Sequence, residues 1–147
     1  MSPSNNKKYD FSGKVALVTG SSSGIGAAIA IQFAQYGANV VITGRNADKL
    51  AKVAQRIVQV SGGVAPAQVI GDFLADPSLP QKLVDETIAR FGRLDILVNN
   101  AGGATPKGNF ASPNLLEEWD NVFNLNVRSV VELTQLAVPH LEKTKGN

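Results

Sequence analysis

The segment Thr19-Gly20-Ser21-Ser22-Ser23-Gly24-Ile25-Gly26 stands between two patterned stretches. Before it runs a β-branched apolar stretch, Lys14-Val15-Ala16-Leu17-Val18-Thr19, and after it Ile25, Ile29 and Phe33 recur at helical spacing. Three glycines in a strand-to-helix turn leave the backbone few options. Gly20 permits the tight turn, Gly24 lets a pyrophosphate approach the main chain, and Gly26 permits close packing of the helix. The helix start then offers unpaired N–H groups and a partial positive charge to phosphate. Gly20, Ser21, Ser22, Ser23, Gly24, Ile25 and Gly26 are therefore cofactor-binding candidates, with the Ser21 hydroxyl able to add a contact. A phosphate loop of the Walker type needs Lys and Ser or Thr after its last glycine, but Ala27 and Ala28 follow Gly26. A methyltransferase-type loop has its glycines closer together.

The same alternation recurs downstream. A second strand, Asn39-Val40-Val41-Ile42-Thr43, stops at Gly44; a third, near Ala65–Ile70, stops at Gly71-Asp72; a fourth, Leu94–Val98, stops at Asn99-Asn100. Between them Leu50, Val53, Ala54, Ile57 and Val58 mark one amphipathic helix. Leu83, Val84, Thr87, Ile88 and Phe91 mark another, with Asp76 before Pro77 as its expected N-cap. Near-continuous apolar strands alternating with helices predict an α/β fold, a doubly wound parallel sheet covered on both faces. Residues 1–12 read as a flexible lead-in and 13–147 as a partial dinucleotide-binding domain. In the expected order 3-2-1-4 the fourth strand is an edge, although Leu94, Ile96, Leu97 and Val98 read as buried on both faces.

From about Asn114 to Val138 the pattern changes, because apolar residues cover nearly the whole helical circumference. A helix of that kind is expected under the sheet or in a subunit interface, with Trp119 and Phe123 as core packing and Pro139 ending or kinking it. This makes a homo-oligomer through the Asn114–Val138 helix the expected assembly.

Composition narrows the chemistry. The chain has no cysteine and one histidine, His140, which excludes disulfides and thiolate metal sites and leaves a metal short of imidazole. The net charge of +2 is spread without a basic stripe, so nucleic acid is not an expected partner. No apolar run reaches membrane-spanning length, and Met1–Asp10 lacks a signal peptide's apolar stretch, so the expected location is cytoplasmic.

The three-residue gap in the glycine segment resembles the short-chain dehydrogenase/reductase family, and so do the motifs that follow it. Asp72 resembles the acid that contacts adenine, although it also suits a turn cap. Asn99-Asn100-Ala101-Gly102 resembles the family's NNAG motif, which steadies the sheet and lines the cofactor cleft. Asn126 resembles the helix asparagine of the family's catalytic tetrad; an amide among apolar neighbours also needs buried partners. The resemblance covers about residues 11–147 and implies a Rossmann-type sheet truncated after the fifth helix. It adds Asn99, Ala101 and Gly102 to the cofactor-binding candidates.

Rossmann folds that take NAD place an acid at the end of the second strand. Gly44 stands there, followed by Arg45 and Asn46, so NADP(H) is favoured over NAD(H), with Arg45 on the 2′-phosphate. The resemblance implies an oxidoreductase interconverting a secondary alcohol and a carbonyl. It also implies a serine and a Tyr-x-x-x-Lys motif that this chain lacks: Gly13 lies four residues after Tyr9, and Val40 four after Tyr36. The 147 residues alone are therefore expected to be catalytically incompetent. The alternative is a non-catalytic dinucleotide-binding or interaction module that associates with full-length subunits. The substrate is not legible.

Overall fold

Strands that are apolar at every position have no face to give to water, and β1 (Val15–Val18) is buried throughout. In the computed structural model, which describes residues 9–104 and 110–147, β1 lies inside a four-stranded parallel sheet. Its order is β3-β2-β1-β4, with β2 Asn39–Gly44, β3 Ala67–Ile70 and β4 Ile96–Val98. The third strand begins later than Ala65 because Pro66 has no N–H to give a ladder.

Strand alternation divides the core in two. Ala16, Val18, Val40 and Ile42 face α1 (Gly24–Gln35) and α2 (Ala47–Val60). Leu17, Val41 and Val69 face α3 (Leu79–Phe91) and α5 (Ser129–Thr144). The buried face of α1 is largely alanine (Ala27, Ala30, Ala34), which brings the helix close to the sheet. Residues 1–8 of the expected lead-in lie outside the described residues. Residues 9–12 are not loose: Phe11 donates its N–H to the Tyr36 carbonyl at 2.9 Å and its ring meets Phe33 edge-on at 5.1 Å.

Asp76 does not cap α3 directly. The helix starts at Leu79, and the Asp76 carboxylate accepts from Ser78 N at 3.0 Å, Ser78 Oγ at 2.6 Å and Lys82 Nζ at 2.8 Å. These bonds, that of Lys82 foremost, hold its pKa at about 2.

The long terminal helix departs most from expectation. It divides into α4 (Leu115–Phe123), a π-helical turn (Asn124–Arg128) and α5. Only Ser129, Leu133 and Ala137 are buried in α5, and none in α4. Trp119 and Phe123 are 67% and 51% exposed, so they are not core. One face suffices to cover the sheet, and the rest of the apolar circumference looks outward. Pro139 does not end the helix, which continues to Thr144. Its end is tied to the sheet beyond the proline: Thr144 Oγ1 donates to the Leu94 carbonyl at 2.8 Å, and Asn147 N to the Asp95 carbonyl at 2.8 Å. Leu97 N in turn donates to the Asn147 carbonyl at 2.9 Å, so the last residue pairs with the outer edge of β4.

Asp95, 3% exposed, pins β4 to β1. Its Oδ2 accepts from Val15 N at 2.9 Å and Arg93 Nε at 2.8 Å, and its Oδ1 from Arg93 NH2 at 2.7 Å. Lys14 Nζ stands 3.6 Å away. Burial alone would raise the Asp95 pKa, but the Arg93 guanidinium, the Val15 amide and Lys14 outweigh it and hold it below the usual carboxylate range. A carboxyl whose pKa is lower folded than unfolded stabilises above the unfolded value, about 3.9, and that contribution is lost as pH falls through the folded value. Asp95→Ala is expected to cost about 3 kcal/mol in urea unfolding at neutral pH. The gap to the parent protein should narrow on acidification below pH about 4. A pH-independent gap would contradict this assignment.

Candidate cofactor site

The C-terminal ends of β1, β2 and β3 open onto a cleft of about 200 Å³. Its walls include Gly20, Ser22 and Ser23 of the glycine loop, Gly44 and Arg45 after β2, Asp72 after β3, and Ala101 and Gly102 after β4. The candidates scattered along the chain thus converge because parallel strands all finish on one side of the sheet.

The glycines divide their roles by geometry. Gly20 has φ +62°, and a Cβ there would stand 2.8 Å from the Ala101 Cα. Gly24, at φ +57°, has nothing within 4 Å of where its Cβ would be, so that space is open to a ligand. At Gly26 a Cβ would overlap the Gly20 carbonyl oxygen and Asn100 Nδ2; this glycine closes the loop on itself. Ser23 occupies the N-cap of α1 without a side-chain capping bond, leaving the first-turn N–H groups to another acceptor. A pyrophosphate fits this cradle.

Ser21 is a correction. It is fully buried, its hydroxyl donates to the Val18 carbonyl at 2.8 Å and accepts from Thr43 N at 3.0 Å, and its own N–H donates to the Thr43 carbonyl at 2.9 Å. It fastens the loop to β2 and has no hydroxyl to spare for a cofactor. Ile25 is 75% exposed on the first turn of α1. Asn46 spends its side chain capping α2, accepting from Lys49 N at 2.9 Å.

Thr19 and Asn100 hold the glycine loop and the segment after β4 together behind the cleft lining. Thr19 Oγ1 accepts from Asn100 N at 3.0 Å and Ala101 N at 2.9 Å, while Asn100 Nδ2 donates to the carbonyls of Thr19 at 3.0 Å and Gly20 at 3.1 Å. Asn99 instead reaches Thr134 Oγ1 of α5 at 3.1 Å. Phe73 and Leu74 also line the cleft; their adjacency to Asp72 was the available signal.

Asn126 sits in the π turn and is exposed, contrary to the expectation of buried partners. Its partners exist nonetheless. Its Oδ1 accepts from Gly103 N at 3.0 Å, and its Nδ2 donates to the Gly103 carbonyl at 2.6 Å and the Val122 carbonyl at 2.8 Å. The π register frees helical carbonyls, and Asn126 takes the one at Val122 while Ser129 Oγ takes Leu125 at 2.6 Å. The asparagine thereby fixes the backbone just beyond Gly102. Among the described residues no cluster of three or more His, Cys, Asp or Glu could hold a metal, and no helix is long and apolar enough to cross a membrane.

Gly44 is sterically enforced. A Cβ there would lie 2.6 Å from Ser22 Cβ and 2.7 Å from Ser22 Oγ, so the position of the ribose-binding acid is closed by the glycine loop itself. Gly44→Asp is expected to cost about 1–3 kcal/mol by overpacking. Ser22→Gly in the same chain should recover most of that loss in thermal unfolding. Equal instability of the double variant would show that Ser22 is not the obstacle.

Comparison with known proteins gives the same family at every level. The model of the short chain dehydrogenase family matches residues 14–147. An 11-beta-hydroxysteroid dehydrogenase-like protein, 4A, of Arabidopsis thaliana is 42% identical over 134 residues, 91% of this chain and 44% of that protein. The structure of L-sorbose reductase from Gluconobacter frateurii, complexed with NADPH and L-sorbose, superposes with a TM-score of 0.82 at 37% identity, covering 92% of this chain and 50% of that one. A 7 alpha-hydroxysteroid dehydrogenase complexed with NADH and 7-oxo glycochenodeoxycholic acid gives 0.81 at 40% identity, covering 92% and 51%. The chain spans about half the length of the relatives it matches.

Proposed function

The chain belongs to the short-chain dehydrogenase family, and on that footing we propose that it forms the cofactor-binding half of an NADP(H)-dependent oxidoreductase interconverting a secondary alcohol and a carbonyl. The observation that carries the cofactor choice is Arg45 on the cleft wall directly after Gly44, since β2 ends in glycine and not in the acid that would meet a ribose hydroxyl. Relatives of both kinds exist, one complexed with NADPH and one with NADH, so the choice rests on this chain's own residues.

In this reading the open face of Gly24 and the first turn of α1 hold the pyrophosphate, with Ser22 and Ser23 beside it. Arg45 holds the 2′-phosphate. Asp72 faces the adenine end, and the backbone of Ala101 and Gly102 walls the other end. Asn126 acts as a positioning residue, since all its polar atoms serve Gly103 and Val122. The bound cofactor would supply the hydride, and the chain's own part is to bind and orient it.

Titration calorimetry tests this. NADPH is expected to bind about ten- to a hundredfold more tightly than NADH, the worth of one charge-assisted contact. Arg45→Leu should erase the difference. Equal or tighter NADH binding by the parent chain would overturn the cofactor choice.

A second reading, binding without turnover, is favoured by where the tyrosines lie. The sequence has two, Tyr9 and Tyr36, and their rings meet edge-on at 5.6 Å beside Phe11, a cluster outside the cleft lining. The 147-residue chain is therefore expected to bind cofactor but not to oxidise NADPH with added ketones. A ketone-dependent rate abolished by Arg45→Leu would contradict it.

The outward apolar face of the terminal helices, with Leu116, Trp119, Phe123, Val127 and Val131 all exposed, supports a homo-oligomer through that surface. Sedimentation should show a dimer or larger species, reduced to monomer by Leu116→Glu with Trp119→Glu. A monomeric parent chain at tens of micromolar would exclude it.

A further inference from the structure

Arg45 and Asp72 face each other across the cleft mouth, Arg45 NH1 standing 4.0 Å from Asp72 Oδ2. The two ends of this pair are not equally held. Asp72 is 34% exposed in its side chain, and its Oδ1 accepts from Leu74 N at 2.9 Å, which fixes the carboxylate in a tight turn after β3. Arg45 is 78% exposed, and 4.0 Å is charge attraction without a hydrogen bond. The carboxylate is thus a fixed negative pole toward which an exposed guanidinium leans.

We propose that Asp72 is a cofactor-selectivity residue: it competes for the Arg45 guanidinium and repels an incoming 2′-phosphate, and so restrains the preference for NADPH over NADH that Arg45 creates. This rests on the reading that the cleft takes a dinucleotide with its 2′ substituent at Arg45. The sign follows from charge. A 2′-phosphate dianion that pairs with Arg45 must displace Asp72 and then sit close to a carboxylate that the Leu74 amide prevents from swinging away. A 2′-hydroxyl carries no charge and meets neither cost. Any contact Asp72 makes with the adenine is common to both cofactors and cancels in their ratio.

Asp72→Asn removes the charge while leaving a carbonyl oxygen for Leu74 N. It is expected to raise the NADPH-to-NADH affinity ratio about three- to tenfold, through tighter NADPH binding, at low ionic strength. The gain should shrink toward one at high salt. In an Arg45→Leu background the same substitution should raise the ratio by a smaller factor, because only the direct repulsion between carboxylate and phosphate remains to be relieved. Asp72→Ser, whose hydroxyl can also accept from Leu74 N, provides the same test should the Asn variant fold poorly.

An unchanged or lowered ratio in Asp72→Asn, with Arg45→Leu still selectively weakening NADPH, would overturn this inference while leaving the cofactor assignment standing. Loss of both cofactors from a folded variant would likewise overturn it and assign Asp72 to the shared adenosine half. Absence of an Arg45 effect on NADPH in the parent background would instead remove the cofactor assignment, and the inference with it.

Discussion

The cleft depends on a clasp between the ends of β1 and β4. Thr19 Oγ1 receives the N–H groups of Asn100 and Ala101, and Asn100 returns its amide to the carbonyls of Thr19 and Gly20. Four bonds thus tie the segment after β4 to the start of the glycine loop. They set how closely that loop lies against Ala101, and hence why Gly20 and Gly26 have no room for a Cβ. Thr19 is 2% exposed, so leaving these groups unpaired would cost about 1–3 kcal/mol each. At the opposite end of the same strands, Asp95 performs the matching task by holding Val15 N and Arg93. One pair of neighbouring strands is pinned at both ends, and the glycine loop hangs from the upper pin.

Much of this was legible in the sequence because it rests on local rules. Apolar runs ending at Gly20, Gly44, Gly71 and Asn99 identified four strands, and the alternation with helices gave their parallel order. The glycine spacing placed a turn between strand and helix, and the structure gives Gly20 and Gly26 steric reasons and Gly24 a positive φ. The family followed from four motifs, and the match over residues 14–147 agrees.

What escaped was set by tertiary contacts that periodicity does not encode. Ser21 looked like a free hydroxyl in a loop; its commitment to Val18 and Thr43 depends on how β2 lies beside β1. The apolar circumference of residues 114–138 looked like burial, yet hydrophobicity does not say which face the sheet takes and which is left outward. The π turn at Asn124–Arg128 has no composition signal, and it is what brings Asn126 to Gly103. Pro139 does not end α5, which runs on to Thr144 and is tied to the sheet there through Thr144 and Asn147.

The glycine loop and its clasp form the proposed seat of a dinucleotide. Hydrogen–deuterium exchange of the chain with and without saturating NADPH tests that most directly. Slowed exchange is expected at the amides of residues 22–26, Gly102 and Arg45, while the amides of β1, Ala101 and Gly103, already hydrogen-bonded, change little. Protection confined to the aromatic cluster around Tyr9 and Tyr36, or to the outward face of the terminal helices, would place the ligand elsewhere and contradict the account.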